Sequence, residues 1–123
     1  MKIAALIARI LLGLAFTVFG LNMFLHFMPG KPPEGQAGAF IGALMSSGYI
    51  YAVGALQLIG GLLLLLGRWV PLGLTLLGPV IVNIVLFHIC LERTGLPIAI
   101  VVAVLALIVL ARYRSAFAGL LQA

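Results

Sequence analysis

Charge is nearly absent from this sequence. Asp, Glu, Lys and Arg together make up 7% of its 123 residues, and the only acidic ones are Glu34 and Glu92. A soluble domain of this size needs a polar surface, and too few polar residues are present to cover one. The bilayer must therefore act as solvent for most of the chain. The lack of aspartate excludes intramembrane proteolysis by paired aspartates. The single cysteine, Cys90, excludes a thiol relay within one chain, because such relays need paired cysteines. No Ser–His–Asp set, glycine-rich phosphate loop or Cys/His metal spacing occurs. The formal net charge of +5 comes without the clustered Lys, Arg and aromatic residues of a nucleic-acid surface, so no nucleic-acid partner is expected.

Apolar residues supply 65% of the chain, and they gather in stretches at about 3–28, 49–66, 71–91 and 96–113. Crossing a hydrocarbon core takes about 20 apolar residues in a helix, with roughly 17–25 tolerated. The first stretch stops at Pro29-Gly30, and the second at Gly67-Arg68. The third opens with Pro71, a residue suited to a first helical turn. The fourth reaches spanning length once Arg112 and Tyr113 sit among the headgroups. Strands do not compete, since an open sheet edge cannot be satisfied in lipid. The pattern predicts an all-α polytopic membrane protein, a single domain over 1–123 built as a four-transmembrane-helix bundle. The first stretch begins with a basic residue, yet its apolar core is too long for a signal peptide. The small-residue pattern Ala37-Gly38-Ala39 also lies well past its end, so the stretch reads as a retained helix.

Basic residues set the expected orientation. Lys2, Arg9, Arg68, Arg112 and Arg114 fall on one side of an even-numbered bundle, and Lys31 and Arg93 fall on the other, beside Glu34 and Glu92. The positive-inside rule then places both termini in the cytoplasm, with Trp69 as an anchor at the inner interface. The long outer connection, 29–48, begins with Pro29-Gly30-Lys31-Pro32-Pro33-Glu34-Gly35, which cannot be helical. Over 37–45, Phe40, Ile41, Leu44 and Met45 recur at helical spacing and suggest a short helix on the outer surface or closing over a site.

Polar side chains within the spans require a reason. They are Asn22 and His26 on the first helix, Gln57 on the second, and Asn83 and His88 on the third. Helix rise puts Asn22, Gln57 and Asn83 about 9–12 Å beneath the outer boundary, and the histidines about 3–5 Å beneath it. Asn22 and His26 share a face, as do His88 and Glu92, whose carboxylate is positioned to orient the imidazole. Asn83 and His88 lie about 140° apart around a helix, too far to point straight into one small pocket. Gly13, Gly20, Gly54 and Gly61 permit close helix contacts within one chain or between two, which leaves a homo-oligomer open. Pro79 deprives the Thr75 carbonyl of its helical partner and should kink the third helix. Arg9, about 9 Å inside the first span, is within snorkelling reach of the inner headgroups.

Asn and Gln can serve as interhelical glue alone, worth about 0.6 kcal/mol each. Three helices bringing polar groups to one depth favour a ligand pocket instead. Axial haem ligation by His26 and His88 ranks low, because two ligands make a weak signature. A quinone asks less: hydrogen-bond partners for its carbonyls in an apolar cleft near the interface. A proton-coupled multidrug-type transporter relies on a membrane-embedded carboxylate, and Glu92 lies at the boundary. A structural assembly subunit fits without predicting anything specific.

Several segments carry a family resemblance: Ala8-Arg9-Ile10-Leu11-Leu12-Gly13, Phe19-Gly20-Leu21-Asn22-Met23-Phe24, 60–68 (GGLLLLLGR) and Gly78-Pro79-Val80-Ile81-Val82-Asn83-Ile84. Through their order and spacing the chain resembles the DoxX family of small four-helix bacterial membrane proteins, over nearly its whole length. The resemblance implies a bacterial inner-membrane protein associated with a quinol-oxidising or quinone-reducing complex. It matches Asn22 and Arg9 to family positions and supplies no catalytic residue. The expectation is a redox-associated accessory protein that binds a quinone or similar lipophilic molecule through Asn22, His26, Gln57, Asn83 and His88, with Glu92 orienting His88 and a partner protein holding the redox centre. Lipid or small-molecule binding or transport without redox chemistry is the alternative.

Overall fold

A computed structural model describes residues 2–27 and 33–121. Residues 28–32, with the expected loop residues Pro29, Gly30, Lys31 and Pro32, lie outside the described residues. The α-helices are α1 (Lys2–Leu25), α2 (Gly35–Ser47), α3 (Tyr49–Leu66), α4 (Val70–Cys90) and α5 (Leu96–Arg112). Among the described residues, α1, α3, α4 and the segment Arg93–Arg112 that contains α5 are long and apolar enough to cross a membrane. The chain is an all-α, multi-pass membrane protein.

Glycine and proline punctuate the helices. Gly48, at φ 81°, ends α2 and turns the chain directly into α3. Gly67, at φ 71°, ends α3, and its N–H is shared between the carbonyls of Leu63 and Leu64. Both lie in the left-handed region that a Cβ disfavours. α4 carries Pro71 near its start and runs unbroken through Pro79. A 3₁₀ turn, Arg93–Gly95, links α4 to α5. The Glu92 carboxylate caps that turn, accepting from the Thr94 backbone N–H at 3.2 Å and from the Thr94 hydroxyl at 2.5 Å.

Each long helix packs on two neighbours, closing the ring α1–α3–α4–α5, and α2 packs on α3 across one end of the bundle. The opposite end carries the first turn of α1, the α3–α4 turn with Arg68, and the last turn of α5 with Arg112. α1 and α3 meet backbone to backbone. A Cβ on Gly13 would lie 2.6 Å from the Leu65 nitrogen, and one on Gly20 would lie 2.7 Å from the Leu58 nitrogen. From the other side, a Cβ on Gly61 would lie 2.6 Å from the Thr17 nitrogen. Gly13, Gly20, Gly54 and Gly61 thus serve a contact inside the chain, and this face is consumed rather than offered to a second copy. The small residues let the backbones approach where no hydrophobic force drives helices together in lipid.

Arg9 belongs to the same seam. Its Nη1 donates to the Leu64 carbonyl at 2.6 Å, and its guanidinium lies against Gly67. A cation at the C-terminus of α3 adds a second donor to a last-turn carbonyl and answers the negative end of the helix dipole. Arg9, expected within snorkelling reach of the headgroups, thus also caps α3. The buried core also concentrates toward this end: Ala8, Leu12, Phe16, Leu64, Val70, Leu74, Leu77 and Val109 belong to it. α5 is the least buried span, and its outer side presents Ile98 and Leu107 to lipid.

Candidate functional site

α3 and α4 are close near the terminal end and apart near α2. Gly60 and Gly73 bring them together: a Cβ on Gly60 would lie 2.6 Å from Leu77 Cγ, and one on Gly73 would lie 2.6 Å from Leu64 Cδ1. Beyond that crossing a cavity of about 430 Å³ opens between α3 and α4. Ile50, Val53, Leu56 and Gln57 line it from α3, and Pro79, Val80, Asn83, Ile84, Phe87 and His88 line it from α4. Met23 reaches it from α1. Phe40, Ile41 and Leu44 of α2 roof it, the Phe40 ring lying 5.6 Å from that of Phe87. The helix suggested over 37–45 therefore runs longer, over Gly35–Ser47, and covers the cavity with its apolar positions.

Besides the Tyr49 hydroxyl, three polar side chains belong to this apolar lining, each held differently. Gln57 is only 4% exposed, and its Oε1 has no hydrogen-bond partner in the protein. A buried amide in that state costs about 1–3 kcal/mol unless a ligand or water answers it. Asn83 is anchored by its own helix: Nδ2 donates to the Pro79 carbonyl at 2.8 Å, which leaves Oδ1 as an acceptor. His88 is held through Nδ1, 2.9 Å from the Glu92 main-chain oxygen. A carbonyl only accepts, so Nδ1 carries the proton, and Nε2 of the neutral ring is an acceptor. Asn83 and His88 line one cavity despite their angular separation.

The remaining expected residues lie elsewhere. Asn22 is half-buried on α1 and does not line the cavity, whereas its neighbour Met23 does. α1 ends at Leu25, and His26 sits beyond it, exposed, at φ 51°. Asn22 and His26 therefore do not continue one helical face, and the two imidazoles do not share the cavity. Glu92 touches His88 through its backbone oxygen, while its carboxylate is committed to Thr94. The Thr94 hydroxyl first, and then the Thr94 backbone N–H, hold that carboxyl below its ordinary range. Among the described residues, no three or more His, Cys, Asp and Glu side chains gather as a metal site.

Sequence reasoning missed Gly95. It packs directly on the His88 imidazole: a Cβ there would lie 2.7 Å from Nδ1. Its backbone, at φ −90°, does not require glycine, so the space is reserved for the ring. Only a contact between the turn and α4 reveals this, and no local pattern marks it.

The DoxX family model matches residues 4–89. The chain belongs to the DoxX family. No curated protein and no solved structure matches it. All the cavity-lining residues of this DoxX protein, Met23 through His88, fall inside the matched segment, and Gly95 and α5 lie beyond it.

Proposed function

We propose that this DoxX protein binds a quinone or similar ring-bearing lipophilic molecule in the cavity beneath α2, as an accessory to a redox partner. The observation that carries the reading is Gln57, a buried carboxamide whose Oε1 has no protein partner, in the lining of an apolar cavity that Asn83 and His88 also line. Such cavities bind a hydrophobic ring by burial and fix its orientation with a few polar atoms. In this reading Gln57, Asn83 and His88 contact the ligand, and Glu92 orients His88 through its carbonyl. Asn22 and His26 lie outside the lining. The protein sits in the bacterial cytoplasmic membrane, and the Lys2, Arg68 and Arg112 end of the bundle, with both termini, faces the cytoplasm. Reporter fusions at either terminus test that orientation.

Proton-coupled transport is less well supported. The Glu92 carboxyl is held below its ordinary range by Thr94 and does not line the cavity, whereas a carrier needs a membrane-embedded carboxyl that exchanges its proton. Binding or transport without redox chemistry keeps one point in its favour: α2 roofs the cavity and joins α3 through the single residue Gly48.

Gentle purification in detergent followed by a reduced-minus-oxidised ultraviolet spectrum tests the reading. A quinone-type change at near-stoichiometric amount is expected in the wild type and absent from Gln57→Leu and His88→Leu. Folded variants that retain a wild-type ligand load would sink the assignment of these residues.

A further inference from the structure

We infer that a second site holds one anionic phospholipid, with an acyl chain in a groove between α4 and α5 and the phosphate on Arg112 and Arg114. The groove shares no lining residue with the cavity beneath α2 and stands whatever that cavity binds.

Residue size makes the groove. Leu74, Gly78, Val82 and Leu86 recur every four residues and form one stripe along α4. Opposite them α5 contributes the small residues Ala103 and Ala106. About 440 Å³ of space remains between the two helices, and every residue that lines it is apolar. A Cβ on Gly78 would meet nothing within 4 Å, so the chain itself leaves that space unfilled. Val82, Leu86 and Leu107 on the flanks are exposed. From Leu74 to Leu86 the helix rises about 18 Å, against about 15 Å for the hydrocarbon of one leaflet. The groove has the length and the chemistry of an acyl-chain site.

Charge stands at one end of it. The chain passes from Leu110 to Phe117, both in the lining, and Arg112 and Arg114 fall between them, exposed. Phe117 belongs to a 3₁₀ segment, Arg114–Leu121, and packs back on the core, so this stretch of chain lies at the groove's mouth. The only acidic side chains in the sequence, Glu34 and Glu92, are at the other end of the bundle, before α2 and after α4. Neither arginine therefore has a carboxylate side chain to pair with. A guanidinium fork matches phosphate oxygens, and basic clusters at the ends of membrane helices attract anionic headgroups.

A second copy fits this face less well. Two copies inserted the same way and joined here would gather four arginines at one end, with no acidic side chain among them. Like charges oppose that contact, whereas a phosphate neutralises them.

The 123-residue protein, purified in nonionic detergent and stripped of lipid, is titrated with three probes. These are dioleoyl phosphatidylglycerol, dioleoyl phosphatidylcholine, and glycerophosphoglycerol, which keeps the charged headgroup and has no chains. Native mass spectrometry counts what stays bound. One phosphatidylglycerol per chain is expected, held about tenfold more tightly than phosphatidylcholine, with the chain-free headgroup not retained. In the double variant Arg112→Gln, Arg114→Gln the preference should vanish. In Gly78→Leu, which fills the groove, retention of both lipids should fall, with the melting temperature as the control for folding. The arginine variant alters only exposed residues and decides the matter should Gly78→Leu fail to fold. Equal retention of the two lipids by wild type, or a preference that survives in the arginine variant, overturns the headgroup site. Undiminished binding to folded Gly78→Leu overturns the groove. A lipid-free dimer that Gly78→Leu dissociates gives the face to a second copy and overturns the lipid site.

Discussion

Along α3, the side turned to α1 and the side turned to α4 and α2 differ in what fills the space between helices. Toward α1 there is no room at all: Gly54 and Gly61 meet Met23, Phe16 and Thr17 of α1 so closely that an added methyl would strike them. Toward α4 the fit is equally tight at Gly60 and Gly73, then fails beyond Gln57, where a cavity of about 430 Å³ remains. The dry seam contains almost no polar side chain except Thr17, whose hydroxyl returns to the Gly13 carbonyl at 2.7 Å, and Arg9 at its end. The cavity contains Gln57, with a polar atom left unpaired. Stability is concentrated in one side of the helix and the capacity to bind in the other. A single helix can hold both because successive residues turn about 100° around it, so that Gly61 meets Thr17 of α1 while Gly60 meets Leu77 of α4.

The sharpest way to break this contrast is to fill the seam. Gly13→Ala should lower stability by about 3 kcal/mol, since the new methyl meets main-chain atoms of α3 that cannot move aside. Gly78→Ala is the control: a Cβ there meets nothing within 4 Å, so the melting temperature in detergent should hold or rise. A destabilised Gly78→Ala beside a neutral Gly13→Ala would reverse the assignment of the two faces.

Next in size is the cap. Arg9→Met removes a charge-assisted hydrogen bond to Leu64 and should cost about 2 kcal/mol, with Arg9→Lys recovering part of it. A pure headgroup role predicts full recovery by lysine, so the two-variant comparison of melting temperatures decides.

The cavity side should respond with the opposite sign. Gln57→Leu removes an unpaired buried amide and should stabilise the empty protein by about 1 kcal/mol, while lowering ligand affinity roughly tenfold. Chemical unfolding and a binding titration on the same preparation check the pair of effects. Loss of stability instead would mark Gln57 as interhelical glue.

Smaller still are two changes at the α4–α5 turn. Gly95→Ala should leave stability within about 1 kcal/mol yet displace the His88 ring and weaken binding, measurable as a shifted imidazole resonance. Glu92 supplies a pH effect. Its folded pKa is lowered, so its contribution is present above the unfolded value and is lost as pH falls through the folded one. Acidification should lower the melting temperature of the wild type more than that of Glu92→Gln over that window. The effect is slight because the carboxylate is solvent-exposed.

Much of the fold was legible because lipid leaves few choices. Long apolar runs in a bilayer must become helices, and Gly67 and Pro71 mark their limits through local backbone preference. The site was legible in part. Gln57, Asn83 and His88 stood out as polar residues in apolar runs, and they do line one cavity. His26 stood out for the same reason, but α1 ends at Leu25, and an imidazole past a helix end no longer follows the helical face.

By itself, then, the sequence determined the solvent, the helical class, the family and the small set of polar groups that lipid must accommodate, since each of these follows from composition and local order. Tertiary structure alone decided which glycine faces meet inside the chain, that Arg9 caps α3, that α2 roofs the cavity, and that Gly95 makes room for His88. Those outcomes depend on distances between residues far apart in the chain, which packing sets and periodicity does not encode.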